Sequence, residues 1–205
     1  INMLSKIFKK YIPPYGIMDT SGEEEIMEHF LSDKWVLWAH LPHDTDWSIK
    51  SYKKIMEIST VPEMVSLYNG LPEKLVKNCM LFLMRKNISP TWEDPKNRSG
   101  GCFSYKVLNK SVYSVWRHMS FLLVGNTITK CNDLVSCING ITVSPKKSFC
   151  IVKIWFLNCD HQSPAKMIPI DGLNSHGCLF KKHKPEGIPS PSSIVGVSRE
   201  YSFSR

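Results

Sequence analysis

Two neighbouring side chains in the middle of the sequence are of the kinds that recognise a flat, polar ring. Trp92 and Glu93 lie in the run 90–101, which also holds the turn former Asp94 and ends in a pair of glycines. Such a run is typical of a loop, and a tryptophan on a loop usually packs against or binds something, because its exposure to water is costly. We therefore predict a binding loop that carries Trp92 and Glu93.

Guanine offers a chemical reason for a tryptophan beside a carboxylate. Its Watson–Crick edge presents two adjacent N–H donors that one carboxylate can accept, while an indole covers the face of the base. Methylation at N7 makes the ring cationic, and a cation held against an indole gains about 0.5–2 kcal/mol beyond stacking, which itself is worth roughly 1–3 kcal/mol. Two indoles would select the methylated base. Trp47 follows a polar turn between two predicted strands and is the candidate for the second indole.

The elements that must position these loops follow from the hydrophobic pattern. Strands are predicted at 35–38, 49–58, 79–84, 102–108, 141–143 and 150–157. One helix is predicted from the capping box of Thr60 and Glu63 to the turn at 69–70, and a second over 111–124. Strands interrupted by a few helices predict an α+β fold, with a single curved antiparallel β-sheet and helices packed on its convex face. The open concave side is then available for binding.

Composition and charge narrow the classes of protein. The 205 residues, 42% of them hydrophobic and 21% charged, suffice for a single domain with a core and argue against global disorder. No apolar run approaches the roughly 20 residues of a membrane span, so we expect no membrane partner. Seven cysteines without regular spacing indicate reduced thiols in a cytoplasmic protein, or one that is also nuclear. The net charge of +8 favours an anionic partner such as nucleic acid.

Two segments are expected to lie outside regular structure. Residues 1–27 predict a flexible N-terminal arm, with an amphipathic helix for a membrane surface or a partner as the alternative. Residues 28–205 then form the binding domain. Within this domain the run 181–193, rich in Lys, Pro and Ser, predicts a loop, and 194–197 a final strand.

Several segments resemble the eukaryotic translation initiation factor 4E family of mRNA cap-binding proteins. They are residues 29–38, Thr60-Val61 with Leu67-Tyr68-Asn69, Trp92-Glu93-Asp94-Pro95-Lys96-Asn97 with Gly100-Gly101, and Ile154-Trp155. The resemblance implies a protein that is not an enzyme and needs no cofactor. It implies binding of the 7-methylguanosine cap of mRNA between two tryptophans, and recruitment of mRNA for translation initiation through a scaffold partner.

The resemblance also implies roles for single residues around the base. Trp47 and Trp92 match the stacking pair, and Glu93 matches the carboxylate that recognises guanine. The backbone amide of Trp92 would meet guanine O6. Trp155 matches the tryptophan that touches the N7 methyl group.

The expected phosphate contacts depart from the family pattern. Lys146 matches a basic residue that binds the cap triphosphate, and Lys147 lies beside it. The family's second phosphate-binding lysine falls on Ile151, so Lys153, on the strand face of the methyl-contacting tryptophan, is the candidate substitute. The basic residue expected after the glycine pair is Cys102.

The predicted partner surface departs further. The resemblance implies a scaffold resembling initiation factor 4G, or a 4E-binding repressor, that docks a helical Tyr-x-x-x-x-Leu-apolar motif. Val65 stands where the family usually has a tryptophan, and Phe30 where it has a proline. Arg117 and His118 replace an apolar residue and an acid. The predicted partner-binding residues are His29, Phe30, Val61, Val65, Arg117, His118 and Phe121.

Other interpretations stay open from the sequence. The altered partner surface suits a cap-binding repressor or mRNA-storage factor, and the basic residues missing at 102 and 151 suit an interaction module that has lost cap binding. A zinc site would need Cys159, His161, His176 and Cys178, whose spacing is unusual for a zinc finger. An enzyme would need a nucleophile such as Cys79 or Cys102, which no motif frames.

Overall fold

Seven β-strands form one antiparallel sheet in the computed structural model, which describes residues 29–173 and 177–183. The order across the sheet is β2-β1-β3-β5-β6-β4-β7. The strands are β1 (Phe30–His40), β2 (Lys53–Thr60), β3 (Met80–Arg85), β4 (Gly101–Leu108), β5 (Ile138–Pro145), β6 (Phe149–Phe156) and β7 (Leu179–Lys182). The predicted α+β fold with one curved antiparallel sheet is confirmed.

Five short or medium helices connect the strands within the described residues. They are α1 (Val61–Gly70), α2 (Glu73–Asn78), α3 (Pro95–Arg98), α4 (Val112–Val124) and α5 (Asn132–Val135), with 3-10 turns at Ile49–Ser51 and Pro164–Lys166. The capping box that starts α1 is confirmed: the Glu63 amide donates to Thr60 Oγ1 at 3.3 Å, and the Thr60 amide donates to the Glu63 carboxylate at 3.0 Å. None of the described helices is long and apolar enough to span a membrane.

The two faces of the sheet differ because successive strand residues point to opposite sides. On one face Trp35, Leu83 and Phe103 pack with helix residues such as Trp116 into the main core. Burial of each large apolar side chain contributes about 1.5–3 kcal/mol, so this face stabilises the fold. The other face, called the open face below, carries a second cluster. Its buried members are Phe82, Met84, Ile88 and Trp155, and Trp38, Tyr52 and Met80 pack against them.

Several predicted boundaries are wrong. Residues 49–51 form a 3-10 turn instead of a strand, because the Ser51 hydroxyl is buried and donates to the Ser48 carbonyl at 2.8 Å. Residues 181 and 182 belong to β7 and not to a loop, because Phe180 packs on the core and holds the segment beside β4. The predicted arm at 1–27, the rest of the loop at 184–193 and the predicted strand at 194–197 lie outside the described residues.

Candidate nucleic-acid interface

The loop between β3 and β4 presents Trp92 and Glu93 to solvent. Trp92 is 41% exposed, and Glu93 beside it is also exposed. Asp94 shapes the loop, since its carboxylate accepts hydrogen bonds from the backbone amides of Ser89 at 2.8 Å and Lys96 at 2.9 Å. The second bond caps α3 at its first turn. The predicted loop is therefore exposed and has internal structure, and its role in binding stays a prediction.

Asn97 holds the same loop from inside. Its side chain is fully buried, and its amide nitrogen donates to the carbonyls of Ser89 at 2.9 Å and Thr91 at 2.8 Å. Its side-chain oxygen accepts a hydrogen bond from Asn139 of β5 at 2.9 Å. Because buried polar groups are costly to leave unpaired, this network restricts the backbone that leads into Trp92.

Trp47 lies on the loop between β1 and β2 and is 60% exposed. The adjoining Asp46 carboxylate accepts hydrogen bonds from the Ser48 amide at 2.7 Å and the Ser48 hydroxyl at 2.8 Å. These bonds lower the pKa of Asp46 below its usual range. One face of the Trp47 indole stacks on the ring of His40, with 4.2 Å between centroids.

Tyr52 packs between the end of β1 and the cluster on the open face. Its half-buried ring contacts His40 at 5.0 Å and Phe82 at 5.3 Å between centroids. Burial and then the charge of Glu93 raise the pKa of Tyr52 to about 12. The Glu93 carboxylate, on the Trp92 loop, therefore affects the ionisation of Tyr52, which follows the Trp47 loop. Trp47 and Trp92 themselves share no ring contact within the described part of the chain.

Trp155 lies on β6 on the open face and is 6% exposed. Its indole nitrogen donates to Thr142 Oγ1 at 2.7 Å, which fixes the orientation of the ring. His183 lies against the indole, with 4.6 Å between ring centroids. His183 Nδ1 is 2.7 Å from the Asn97 carbonyl oxygen and must carry the hydrogen, because a carbonyl only accepts. His183 thus links Trp155 to the loop of Trp92.

The predicted phosphate-binding lysines lie at two places. Lys146 and Lys147 are at the same end of the sheet as Trp47, and Lys153 is beside Trp155. Lys146 and Lys147 are exposed on the turn between β5 and β6. Lys146 and Trp47 line one cleft of about 200 Å³, together with His40, Met80 and Ser144. Lys153 is half-buried, and its charge reaches His183. The structure therefore brings Lys146 together with the Trp47 loop and Lys153 together with Trp155.

A sequence profile of the family described as eukaryotic initiation factor 4E matches residues 30–176, which is more than half of the chain. The chain belongs to this family. Its match includes all seven predicted cap-binding residues.

Relatives of this 4E-family chain come from several organisms. It is 28% identical over 177 residues to eukaryotic translation initiation factor 4E-2 of Schizosaccharomyces pombe, covering 82% of this chain and 67% of the relative. It is 30% identical over 172 residues to translation initiation factor NCBP of Oryza sativa, covering 81% and 73%. The chain spans about two thirds of the length of two relatives that it matches, 67% of one and 66% of the other.

Solved structures of the family share the fold. Caenorhabditis elegans eIF4E-3, in complex with the 4E-binding protein Mextli and a cap analog, aligns with a TM-score of 0.58 at 23% identity, covering 64% of this chain and 75% of that one. Schistosome eIF4E, complexed with m7GpppG and 4E-BP, aligns with a TM-score of 0.59 at 22% identity, covering 66% and 75%.

In the predicted partner surface of this 4E-family chain, the start of β1 lies beside the start of α1. The Val61 amide donates to the His29 carbonyl at 2.8 Å, and Phe30 pairs with the residue before α1. Phe30 is 69% exposed, and Val61 and Val65 project side by side from α1, both more than two-fifths exposed.

Helix α4 adjoins this surface through ring contacts. Phe121 lies 5.2 Å from Tyr68 of α1 between ring centroids, and the Arg117 guanidinium lies 5.6 Å over the Phe121 ring. His118 is exposed on the same helix. Phe121 of α4 is therefore packed against α1 at Tyr68, three residues after Val65.

Three residues around the 4E-family site were not predicted from sequence: His40, Tyr52 and His183. Tyr52 and His183 contact residues far along the chain, and His40 stacks on Trp47 only through the path of the loop between them, so no local sequence pattern identifies the three. For the zinc alternative, the described residues contain no group of three or more His, Cys, Asp or Glu that could hold a metal. His176, which that alternative needs, lies outside them.

Proposed function

We propose that this chain binds the 7-methylguanosine cap at the 5′ end of mRNA on its open face. The observation that carries the proposal is the arrangement of two structured loops, each of which presents an exposed tryptophan, with the exposed Glu93 carboxylate beside one of them. Membership of the 4E family supports it. So do the cap-bound fold relatives, Caenorhabditis elegans eIF4E-3 with a cap analog and Schistosome eIF4E with m7GpppG.

Recognition of the base would divide among four residues. Trp47 and Trp92 cover its two faces, where the N7-methylated ring adds a cation–π attraction of about 0.5–2 kcal/mol to stacking. The Glu93 carboxylate accepts from guanine N1–H and N2–H, and the Trp92 backbone amide donates to O6. Trp155, held by Thr142 and His183, offers its ring to the N7 methyl group.

The phosphates of the cap would then meet basic side chains. Lys146 borders the cleft that Trp47 also lines, and Lys147 is next to it on the turn. Lys153 lies two residues before Trp155 on the same strand face. Charge-assisted contacts of these ammonium groups with the triphosphate make the affinity depend on salt.

Tryptophan fluorescence tests the proposal directly, because the cap would lie against the reporting indoles. We expect 7-methyl-GTP to quench the emission and GTP to quench it far less at equal concentration. Trp47→Ala and Trp92→Ala should each lower the affinity by roughly 5- to 150-fold, the equivalent of 1–3 kcal/mol of stacking. Equal quenching by both nucleotides, or none, would refute cap recognition. A cap dinucleotide incubated with the protein should stay intact, since we propose binding without catalysis.

The biological use that we propose is recruitment of mRNA for translation initiation in the cytoplasm, through a scaffold that docks a helix on Val61 and Val65. A second use, as a repressor or storage factor, is favoured by Arg117 and His118, which give the α4 side of that surface a basic character. Capture on cap resin from a eukaryotic lysate separates the two. Co-purification of a large initiation scaffold supports recruitment, and its exclusion together with retention of a smaller protein supports repression.

A further inference from the structure

Three lysines lie on neighbouring strands of the open face: Lys153 on β6, Lys106 on β4 and Lys181 on β7, called the lysine row below. Lys106 and Lys181 are exposed, and Lys153 is half-buried. The alternation along β4 places even-numbered residues on the open face, because Phe103 and Tyr105 are in the core on the other side. Lys106 and Lys181 are not among the residues assigned above to cap recognition.

The pairing of the strands shows where the two new lysines lie. In an antiparallel pair, residues directly opposite each other project from the same face, with Cβ atoms about 4.5–5.5 Å apart. Lys106 is directly opposite Ile151 of β6. Lys181 is directly opposite Cys102 of β4, which is itself opposite Trp155. Each lysine therefore lies one strand away from a position where the sequence resemblance predicted a basic residue and the chain has none.

The charges of the lysine row have no carboxylate partner among the described residues. The ion pairs there use Lys54, Lys77, Arg85 and Lys86. The Lys106 ammonium lies 4.6 Å over the ring of Phe149, next to the turn that carries Lys146. This contact keeps the Lys106 charge close to the turn without neutralising it.

We propose that Lys106 and Lys181 bind phosphates of capped RNA, and thereby replace the basic groups missing at Ile151 and Cys102. Lys106 and Lys181 lie on adjacent strands and are offset by four residues along them. The two residues are therefore roughly 14 Å apart, which is too far for both to hold one phosphate. The lysine row therefore continues the phosphate contacts of the cap site across β4 to the edge strand. This inference rests on the proposed function, because the cap must enter first to place its phosphates on this face.

Affinity measured with ligands of increasing phosphate content tests the inference. The protein is titrated with 7-methylguanosine nucleoside, with 7-methyl-GTP and with a short capped RNA, as wild type and as Lys106→Gln, Lys181→Gln and the double variant. Lys130→Gln, at an exposed lysine between α4 and α5, is the matched control. Binding of the nucleoside reports whether each variant keeps its fold and its base site.

We expect unchanged affinity for the nucleoside, and about tenfold weaker binding of capped RNA by each single variant, as for loss of one charge-assisted contact. The slope of log affinity against log salt should become shallower by about 0.7 for each lysine removed. A loss already seen with 7-methyl-GTP assigns that lysine to the triphosphate, and a loss seen only with capped RNA assigns it to the phosphodiesters.

If the double variant has the affinity and the salt slope of the wild type for both ligands that carry phosphates, the inference is overturned and cap recognition is left intact. Failure of the wild type to bind any of the three ligands would instead overturn the proposed function, and this inference with it.

Discussion

The imidazole of His40 lies parallel to the indole of Trp47, with 4.2 Å between ring centroids and 3° between planes. His40 is buried at the end of β1, and its Nε2 is 2.8 Å from the carbonyl oxygen of Asp46. One face of Trp47 is thus covered by protein, although the side chain remains largely exposed. A bound base must therefore approach the opposite face, and His40 acts as a positioning residue for the indole.

Removing the His40 ring should weaken cap binding, although His40 itself makes no direct contact with the ligand. An aromatic pair is worth about 0.5–1.5 kcal/mol, so His40→Ala should lower the affinity for 7-methyl-GTP by roughly 2- to 12-fold. His40→Phe keeps a flat ring and should largely restore it, measured by fluorescence titration. His43→Ala, at an exposed histidine of the same loop, serves as the control. Equal affinities of the alanine variant and the wild type would show that the stacked pair does not position Trp47.

The Glu93 carboxylate is expected to contribute most to recognition of guanine. In Glu93→Ala two donors of a bound guanine would be desolvated without acceptors, and a hydrogen bond to a charged group is worth about 1.5–3 kcal/mol. We therefore expect a loss of more than about 100-fold in affinity for 7-methyl-GTP, seen as failure to stay on cap resin. Asp160→Ala, at an exposed acid, should bind normally. Near-normal retention of the Glu93 variant would refute the assignment of guanine recognition to this carboxylate.

Much of the fold was predictable because its signals are local. The strand predicted at 102–108 differs by one residue from Gly101–Leu108, and the strand at 150–157 is shifted by one from Phe149–Phe156. The alternation of buried and exposed strand residues and the capping box of Thr60 both depend on residues a few positions apart. Both signals can therefore be recognised in the sequence. The exposed tryptophans were predictable for the same reason, since turn-forming residues surround both.

Two supporting side chains of the site, Tyr52 and His183, could not be predicted, because their contacts join distant parts of the chain. His183 lies 86 residues from Asn97, whose carbonyl it meets. The strand that precedes it, β7, is only four residues long and pairs with β4, which no periodicity indicates. The position of Lys181 beside Cys102 likewise follows from the strand order alone.

Loss of the cap of α1 should destabilise the fold. Thr60→Ala removes the acceptor of the Glu63 amide and half of the reciprocal capping box. We expect a decrease of about 1 kcal/mol in the free energy of unfolding, the usual cost of losing such a cap, measured by urea denaturation. Thr45→Ala, at an exposed threonine in the β1–β2 loop, is the matched control. A Thr60 variant as stable as this control would show that the helix does not depend on its cap.

His183 should make the stability of the protein depend on pH. Burial lowers its pKa from the ordinary 6.5, and the charge of Lys153 lowers it further, while the hydrogen bond to Asn97 opposes the shift. As the pH falls below about 6.5, the unfolded chain therefore takes up a proton that the folded chain does not. The free energy of unfolding then decreases from about pH 6.5 down to the folded-state pKa, and it is fully retained above that range.

His183→Gln removes this titration, so its stability should change less than that of the wild type between neutral and mildly acidic pH. Chemical denaturation at several pH values measures the difference, and His118→Gln, at an exposed histidine, should follow the wild type. Because His183 lies against Trp155, the same acidification should alter the tryptophan emission of the wild type but not of the His183 variant. Parallel pH profiles for all three proteins would mean that the His183 ring does not titrate differently in the folded and unfolded chain.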